Sequence, residues 1–273
     1  MTVLQEHFLL SNGLPMPKVG LGTWQITDAK QAYDATSNAL ASGYRHVDTA
    51  RVYDNEESVG RAVRDSSIPR TDLFVATKLP AEIKDHDEAL ASFETTMEVI
   101  GLDYVDLYMV HAPWPWHAIG QDCAAGNKAV WKALETIHQS GRAKAIGVSN
   151  FNVSDLRVIL DSCAIKPMVN QIRFFIGHSQ PDVVSFCQRE GIQLTGYSPL
   201  AIGKILANSE IGAVAERYGK SVAQICIRYV LQKGIAPLPK STNAERIRQN
   251  ADLDFEITDE DMARLDELSV MEI

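Results

Sequence analysis

Val105-Asp106-Leu107-Tyr108-Met109-Val110-His111 is a short apolar run that ends on a lone imidazole. Its length and its β-branched and aromatic content predict a buried strand rather than a helix. The same shape recurs at residues 45–48, 73–78, 143–149, 168–172, 193–197 and 235–239, and residues 18–22 bring the number of such runs to eight. Segments of helical period separate them: Leu90, Phe93, Met97 and Ile100 precede the quoted run, and Val130, Leu134 and Ile137 follow it. Strand and helix in alternation imply a parallel sheet. Eight units in 273 residues predict a closed (β/α)8 TIM barrel rather than an open doubly wound sheet. Gly43, Gly101, Gly141, Gly191 and Gly234 each stand just before a run, where a helix end takes a left-handed residue. Residues 7–21 carry Asn12-Gly13 between apolar residues, which predicts an N-terminal β-hairpin ahead of the barrel. No Ser/Gly/Pro-rich linker or low-complexity tract interrupts the pattern, so one domain over residues 1–273 is expected.

Composition narrows the partners. A net charge of -9 argues against nucleic acid or an anionic membrane, because phosphate surfaces are met by basic faces. Cys123, Cys163, Cys187 and Cys226 form no C-x-x-C pair, so neither a metal knuckle nor a redox pair is indicated, and reduced, mostly buried thiols are expected. The first apolar run, Phe8-Leu9-Leu10, is too short for a signal-peptide core, and no stretch has the length of a membrane span. The expectation is a soluble cytoplasmic protein acting on a small molecule. The absence of a large apolar surface stretch favours a monomer.

Four strand-end residues carry the chemistry. Asp48 closes one run, Lys78 closes the next, His111 the one after, and Tyr53 lies five residues beyond Asp48 on the same loop. In a parallel barrel all these ends converge on one mouth. Singly, each has an ordinary role: a turn cap, a packed ring, a solvated lysine, a core histidine. Together a carboxylate, an ammonium, a phenol and an imidazole predict a site that protonates a carbonyl oxygen. The ammonium lowers the phenol pKa while burial raises it, and Asp48 keeps Lys78 charged.

Three stretches resemble the aldo-keto reductase family: residues 43–50 with Tyr53-Asp54-Asn55-Glu56; Ile146-Gly147-Val148-Ser149-Asn150-Phe151; and Leu238-Pro239-Lys240-Ser241-Thr242 with Arg246-Ile247. The resemblance runs from Gly20-Leu21-Gly22-Thr23-Trp24 to Asn250. It implies NADPH-dependent reduction of aldehydes or ketones to alcohols, with dicarbonyls, keto sugars and aromatic aldehydes all open as substrates, Tyr53 as general acid, Asp48 and Lys78 tuning it, and His111 positioning the substrate. It also assigns the cofactor to residues outside any G-x-G-x-x-G loop, which this chain lacks. Ser149, Asn150 and Gln171 would meet the carboxamide, and Tyr197 would stack on the nicotinamide. Ser198 and Leu200 would begin the pyrophosphate loop, and Gln249 and Asn250 would meet adenine. Gly22, Thr23 and Trp24 are further cofactor candidates. Lys240, Ser241, Thr242 and Arg246 place two cations and two hydroxyls where a 2′-phosphate would take charge-assisted bonds. Lys204 is a candidate counter-charge for the pyrophosphate, or a solvated loop residue.

The chain also departs from the family pattern. His111-Ala112-Pro113 lacks the tryptophan that many relatives carry after the histidine, so Trp114, or Trp116, is expected to supply a substrate wall alongside Trp24. Arg173 stands where a glutamate is common, suiting either an acidic substrate or an internal carboxylate. The sequence ends at Ile273 after a helix-like stretch over residues 259–268, and larger relatives continue into a tail over the substrate, so a more open pocket is expected. Two other functions remain on the residues alone: a Schiff-base lyase, which needs Lys78 free and uncharged, and a nicotinamide-nucleotide sensor.

Overall fold

The computed structural model describes residues 2–269. Two short strands, β1 (His7–Leu9) and β2 (Pro15–Pro17), pair antiparallel as the hairpin. Its turn spans five residues, and only Gly13 of the Asn-Gly pair takes a positive φ.

Eight parallel strands follow: β3 (Leu21–Gly22), β4 (His46–Asp48), β5 (Phe74–Leu79), β6 (Val105–Val110), β7 (Ala143–Ser149), β8 (Val169–Arg173), β9 (Gln193–Tyr197) and β10 (Ile235–Leu238). Each pairs with its sequence neighbour. Backbone bonds from Gly20 N to Pro237 O (3.1 Å) and from Gly22 N to Pro239 O (3.0 Å) join first strand to last. The two prolines lack an N–H, yet this seam asks them only for their carbonyls. A Cβ on Gly22 would lie 2.9 Å from the Leu238 carbonyl oxygen, so the seam closes only on glycine. The first strand is therefore shorter than residues 18–22 suggested.

Among the described residues, ten α-helices surround the strands: α1 (Ala29–Ala41), α2 (Glu56–Asp65), α3 (His86–Ile100), α4 (Ala124–Gln139), α5 (Val153–Leu160), α6 (Pro181–Glu190), α7 (Ser209–Tyr218), α8 (Val222–Gln232), α9 (Ala244–Ala251) and α10 (Asp259–Asp266). Their buried stripes are those the periodicity picked out, with Phe93, Met97 and Ile100 of α3 and Val130, Leu134 and Ile137 of α4 all in the core. The five strand-preceding glycines all have positive φ, which ends each helix and turns the chain back toward the barrel. All four cysteines are free; Cys187 and Cys226 are buried and the other two half-buried. No helix among the described residues is long and apolar enough to cross a membrane.

This frame fixes the site. A parallel barrel sends every strand's C-terminal end to the same rim, where Asp48, Lys78, His111, Ser149, Gln171 and Tyr197 lie.

Candidate active site

Asp48 and Lys78 form the buried floor. Lys78 Nζ is fully inaccessible and donates to Asp48 Oδ1 at 2.6 Å and to the Thr49 carbonyl at 2.7 Å. Burial pulls the ammonium pKa down, and the bonded carboxylate opposes that. The loop after β4 turns through Arg51–Tyr53 and stops at Asp54, in a left-handed conformation. Asn55 locks this loop: it accepts from Thr49 Oγ1 at 2.6 Å and donates to the carbonyls of Thr23 and Ile26. The Tyr53 ring is thereby held with its centroid 5.0 Å from Lys78 Nζ.

The Tyr53 hydroxyl meets His111 Nε2 at 3.3 Å. Burial first, and the negative charge of Asp48 next, hold the phenol well above its ordinary range. The expected lowering by Lys78 does not prevail over them. His111 follows directly on β6, and burial with the Lys78 charge depresses its imidazole well below 6.5, so it is neutral at physiological pH. Its Nδ1 is buried without a partner among the described residues.

A row of amides runs from this floor around the rim. Gln171 Nε2 donates to Asp48 Oδ2 at 2.8 Å, and the Gln171 carbonyl accepts from Ser149 Oγ at 3.0 Å. Asn150, at φ 63°, donates to the His111 carbonyl and to Ser149 Oγ. Its Oδ1 accepts from the Tyr197 hydroxyl at 2.7 Å.

These groups open into a cavity of about 1300 Å³. Of the residues expected to bind cofactor, Gly22, Trp24, Ser149, Asn150, Gln171, Tyr197, Ser198, Leu200, Lys240, Ser241, Arg246, Gln249 and Asn250 line it, as does Lys204. Thr23 does not: it is fully buried and spends its hydroxyl on the Asp48 carbonyl at 2.9 Å, holding the tyrosine loop in place. Thr242 is exposed and outside the wall. Trp114 is displaced as well. Of the two, it is Trp116 that stands in the wall, edge-on to His111 at 5.4 Å between centroids, and Trp114 packs edge-on against it at 5.1 Å. A 3-10 turn over Trp116–Ala118 brings the second tryptophan inward.

Several wall residues carried no sequence signal. Val52, Ile202 and Leu206 are exposed apolar side chains on the cavity rim. The loop after β9 takes positive φ at Ser198, Ala201, Ile202 and Gly203, of which only the glycine announces it. The first turn of α8, capped by Ser221, also faces the cavity.

Electrostatically the upper cavity is cationic in an acidic protein. Lys204, Lys240 and Arg246 line it, and none forms an ion pair among the described residues, since the nearby Glu245 is taken by Arg248 at 2.6 Å and by Gln249. Unmatched cations beside a row of amides and a phenol ring fit a dinucleotide: phosphates for the charges, a carboxamide for the amides, a planar ring for Tyr197.

An acid-base floor beneath a nucleotide-sized cavity fits an oxidoreductase, and comparison with known proteins gives the family. The model of the aldo/keto reductase family matches residues 18–270. Glyoxal reductase of Bacillus subtilis is 40% identical over 269 residues, covering 98% of this chain and 94% of that protein. The 9,11-endoperoxide prostaglandin H2 reductase of Trypanosoma cruzi is 40% identical over 264 residues, covering 95% and 90%. Among solved structures, an aldo/keto reductase from Brucella melitensis superposes with a TM-score of 0.89 at 35% identity, covering 96% of this chain and 98% of that one. The aldose reductase of Schistosoma japonicum gives 0.91 at 32%, covering 98% and 94%. The chain belongs to the aldo/keto reductase family. It is an oxidoreductase of carbonyl compounds.

Proposed function

We propose that this barrel reduces aldehydes or ketones to alcohols with NADPH, using Tyr53 as the proton donor. The observation that carries the reading is the placement of the Tyr53 hydroxyl and His111 Nε2, 3.3 Å apart at the cavity floor, over the buried Asp48–Lys78 pair. A nicotinamide bound in the cavity would supply hydride to the carbonyl carbon. The carbonyl oxygen sits between Tyr53 and His111. As negative charge develops there, Tyr53 releases its proton to that oxygen, and Lys78 stabilises the phenolate left behind. Asp48 keeps the ammonium charged and in place. His111, neutral through burial, donates a hydrogen bond from Nε2 and orients the oxygen without competing as the acid.

Ser149, Asn150, Gln171 and Tyr197 suit the nicotinamide end, and Lys204 the pyrophosphate. Lys240, Ser241 and Arg246 favour NADPH over NADH, because a 2′-phosphate would match two cations that form no ion pair among the described residues. The name of the Bacillus subtilis relative makes glyoxal-type dicarbonyls the first substrates to try. A Schiff-base reaction has no support here: Lys78 is fully buried, outside the cavity wall and already bonded to two oxygens.

The test is consumption of NADPH with glyoxal, methylglyoxal and simple aldehydes, comparing wild type with Tyr53→Phe. Turnover that falls by about 10²- to 10⁴-fold in the variant, with NADPH affinity kept, supports the reading. NADPH binding with no turnover of any carbonyl by wild type would replace it with the nucleotide sensor.

A further inference from the structure

Arg173 is the last residue of β8, two positions beyond Gln171. Strand side chains alternate faces, so both point toward the barrel mouth, separated along the strand by about 7 Å. Arg173 lines the cavity and is half-buried, with its guanidinium 5.3 Å from the centre of the Phe175 ring. Its carbonyl is used, accepting from Gln180, but none of its five N–H donors meets an acceptor among the described residues, and it forms no ion pair there. Register pairs it with Tyr197, whose hydroxyl bonds Asn150 Oδ1, so the cation stands on the same stretch of cavity wall as the amide row. The cations facing the phosphate end are others: Lys204, on the loop after β9, and Lys240 and Arg246, beyond β10. A half-buried guanidinium on a cavity wall, whose N–H groups meet no acceptor among the described residues, keeps those donors available to an anionic ligand. The ligand geometry it matches is a planar carboxylate, held bidentate.

We propose that Arg173 is a specificity-determining residue that binds a carboxylate on the substrate, making aldehyde- and keto-carboxylates the preferred substrate class. The inference rests on the proposed carbonyl reduction. The cavity's apolar rim of Trp24, Val52 and Trp116 would then contact the substrate between its two polar ends.

The experiment compares wild type with Arg173→Gln on matched pairs: 4-carboxybenzaldehyde against 4-methylbenzaldehyde, and 4-oxobutanoate against butanal. Expected is a loss of roughly 10- to 100-fold in kcat/KM for the carboxylates, carried by KM, against less than about threefold for the neutral partners. The wild-type advantage also shrinks as ionic strength rises. Calorimetric titration of 4-carboxybenzaldehyde into the protein with NADP+ needs no turnover and should weaken by a similar factor in the variant. If neutral and charged aldehydes lose equally, or if NADPH affinity falls by the same factor, Arg173 serves the fold or the cofactor and the proposal is overturned. If wild type reduces neutral aldehydes and shows no carboxylate preference, it is likewise overturned. Absence of any turnover with carboxylate binding intact and dependent on Arg173 would remove the reductase reading while leaving the carboxylate site.

Discussion

Gln171 Nε2 donates to Asp48 Oδ2 at 2.8 Å, joining β8 to β4 across the barrel and across 123 residues of sequence. With Lys78 on Oδ1, both oxygens of the buried carboxylate are satisfied. The amide row and the acid-base floor are therefore one hydrogen-bonded unit.

Breaking that unit at its charge should cost more than breaking it at its amide. Asp48→Asn leaves the fully buried Lys78 without a counter-ion and should destabilise the fold by about 3–5 kcal/mol. Gln171→Met removes one donor and should cost about 1–3 kcal/mol. Urea unfolding midpoints, read at unchanged m-value, separate the two. Equal losses would mean that Lys78 sheds its proton in the Asp48 variant.

The pH profile of reduction should lack the break that a free histidine would give. His111 is held well below 6.5 and Tyr53 well above 10, so neither changes protonation between those values. A kcat/KM profile for a neutral aldehyde should therefore show no break that belongs to His111 or Tyr53 in that window. A break near neutrality that His111→Gln abolishes would contradict the neutral-imidazole role.

His46 should set part of the acid limit of stability. It is fully buried under Asp48, edge-on to Phe74, with neither ring nitrogen partnered among the described residues. Burial, opposed by the Asp48 charge, lowers its pKa to about 4 from 6.5. Between those values the unfolded chain binds the proton and the folded one does not, so stability is full above 6.5 and declines as pH falls toward 4. The loss reaches roughly 3 kcal/mol. His46→Leu should flatten this part of the curve, and an unaltered acid slope in that variant would assign the decline elsewhere.

The barrel was legible because its signals are local and repeated. Apolar runs ended by a helix-stopping glycine recur, and the strands at 143–149 and 193–197 begin and end where their residues predicted. The meeting of Asp48, Tyr53, Lys78 and His111 was legible because strand ends converge whatever the loops do. What sequence could not show lies on those loops. Trp114 and Trp116 are equivalent by composition, and only the 3-10 turn at Trp116–Ala118 decides which indole reaches His111. Thr23 sits inside a family-like motif, yet its hydroxyl is turned to a backbone carbonyl. The sign of the Tyr53 shift was open because burial and the Asp48 carboxylate act against the Lys78 ammonium, and sequence gives the charges without the depth of burial.

Arg246 offers the sharpest test of the cofactor. Its backbone N–H is bound by Asn243 at the start of α9, while its exposed side chain faces the cavity with no ion pair among the described residues. Glu245, the adjacent carboxylate, is held by Arg248 instead. A guanidinium kept free in this way would meet the 2′-phosphate of NADPH, a group that NADH lacks. Arg246→Ala should therefore weaken NADPH by roughly 10- to 100-fold, the worth of a charge-assisted contact, and NADH by less than about threefold. The NADPH loss should shrink at high salt, because the side chain is exposed and its charge is screened. Fluorescence titration of both cofactors against wild type and variant gives the comparison. Equal weakening of NADPH and NADH would move Arg246 off the 2′-phosphate and leave Lys240 as the cation to test there.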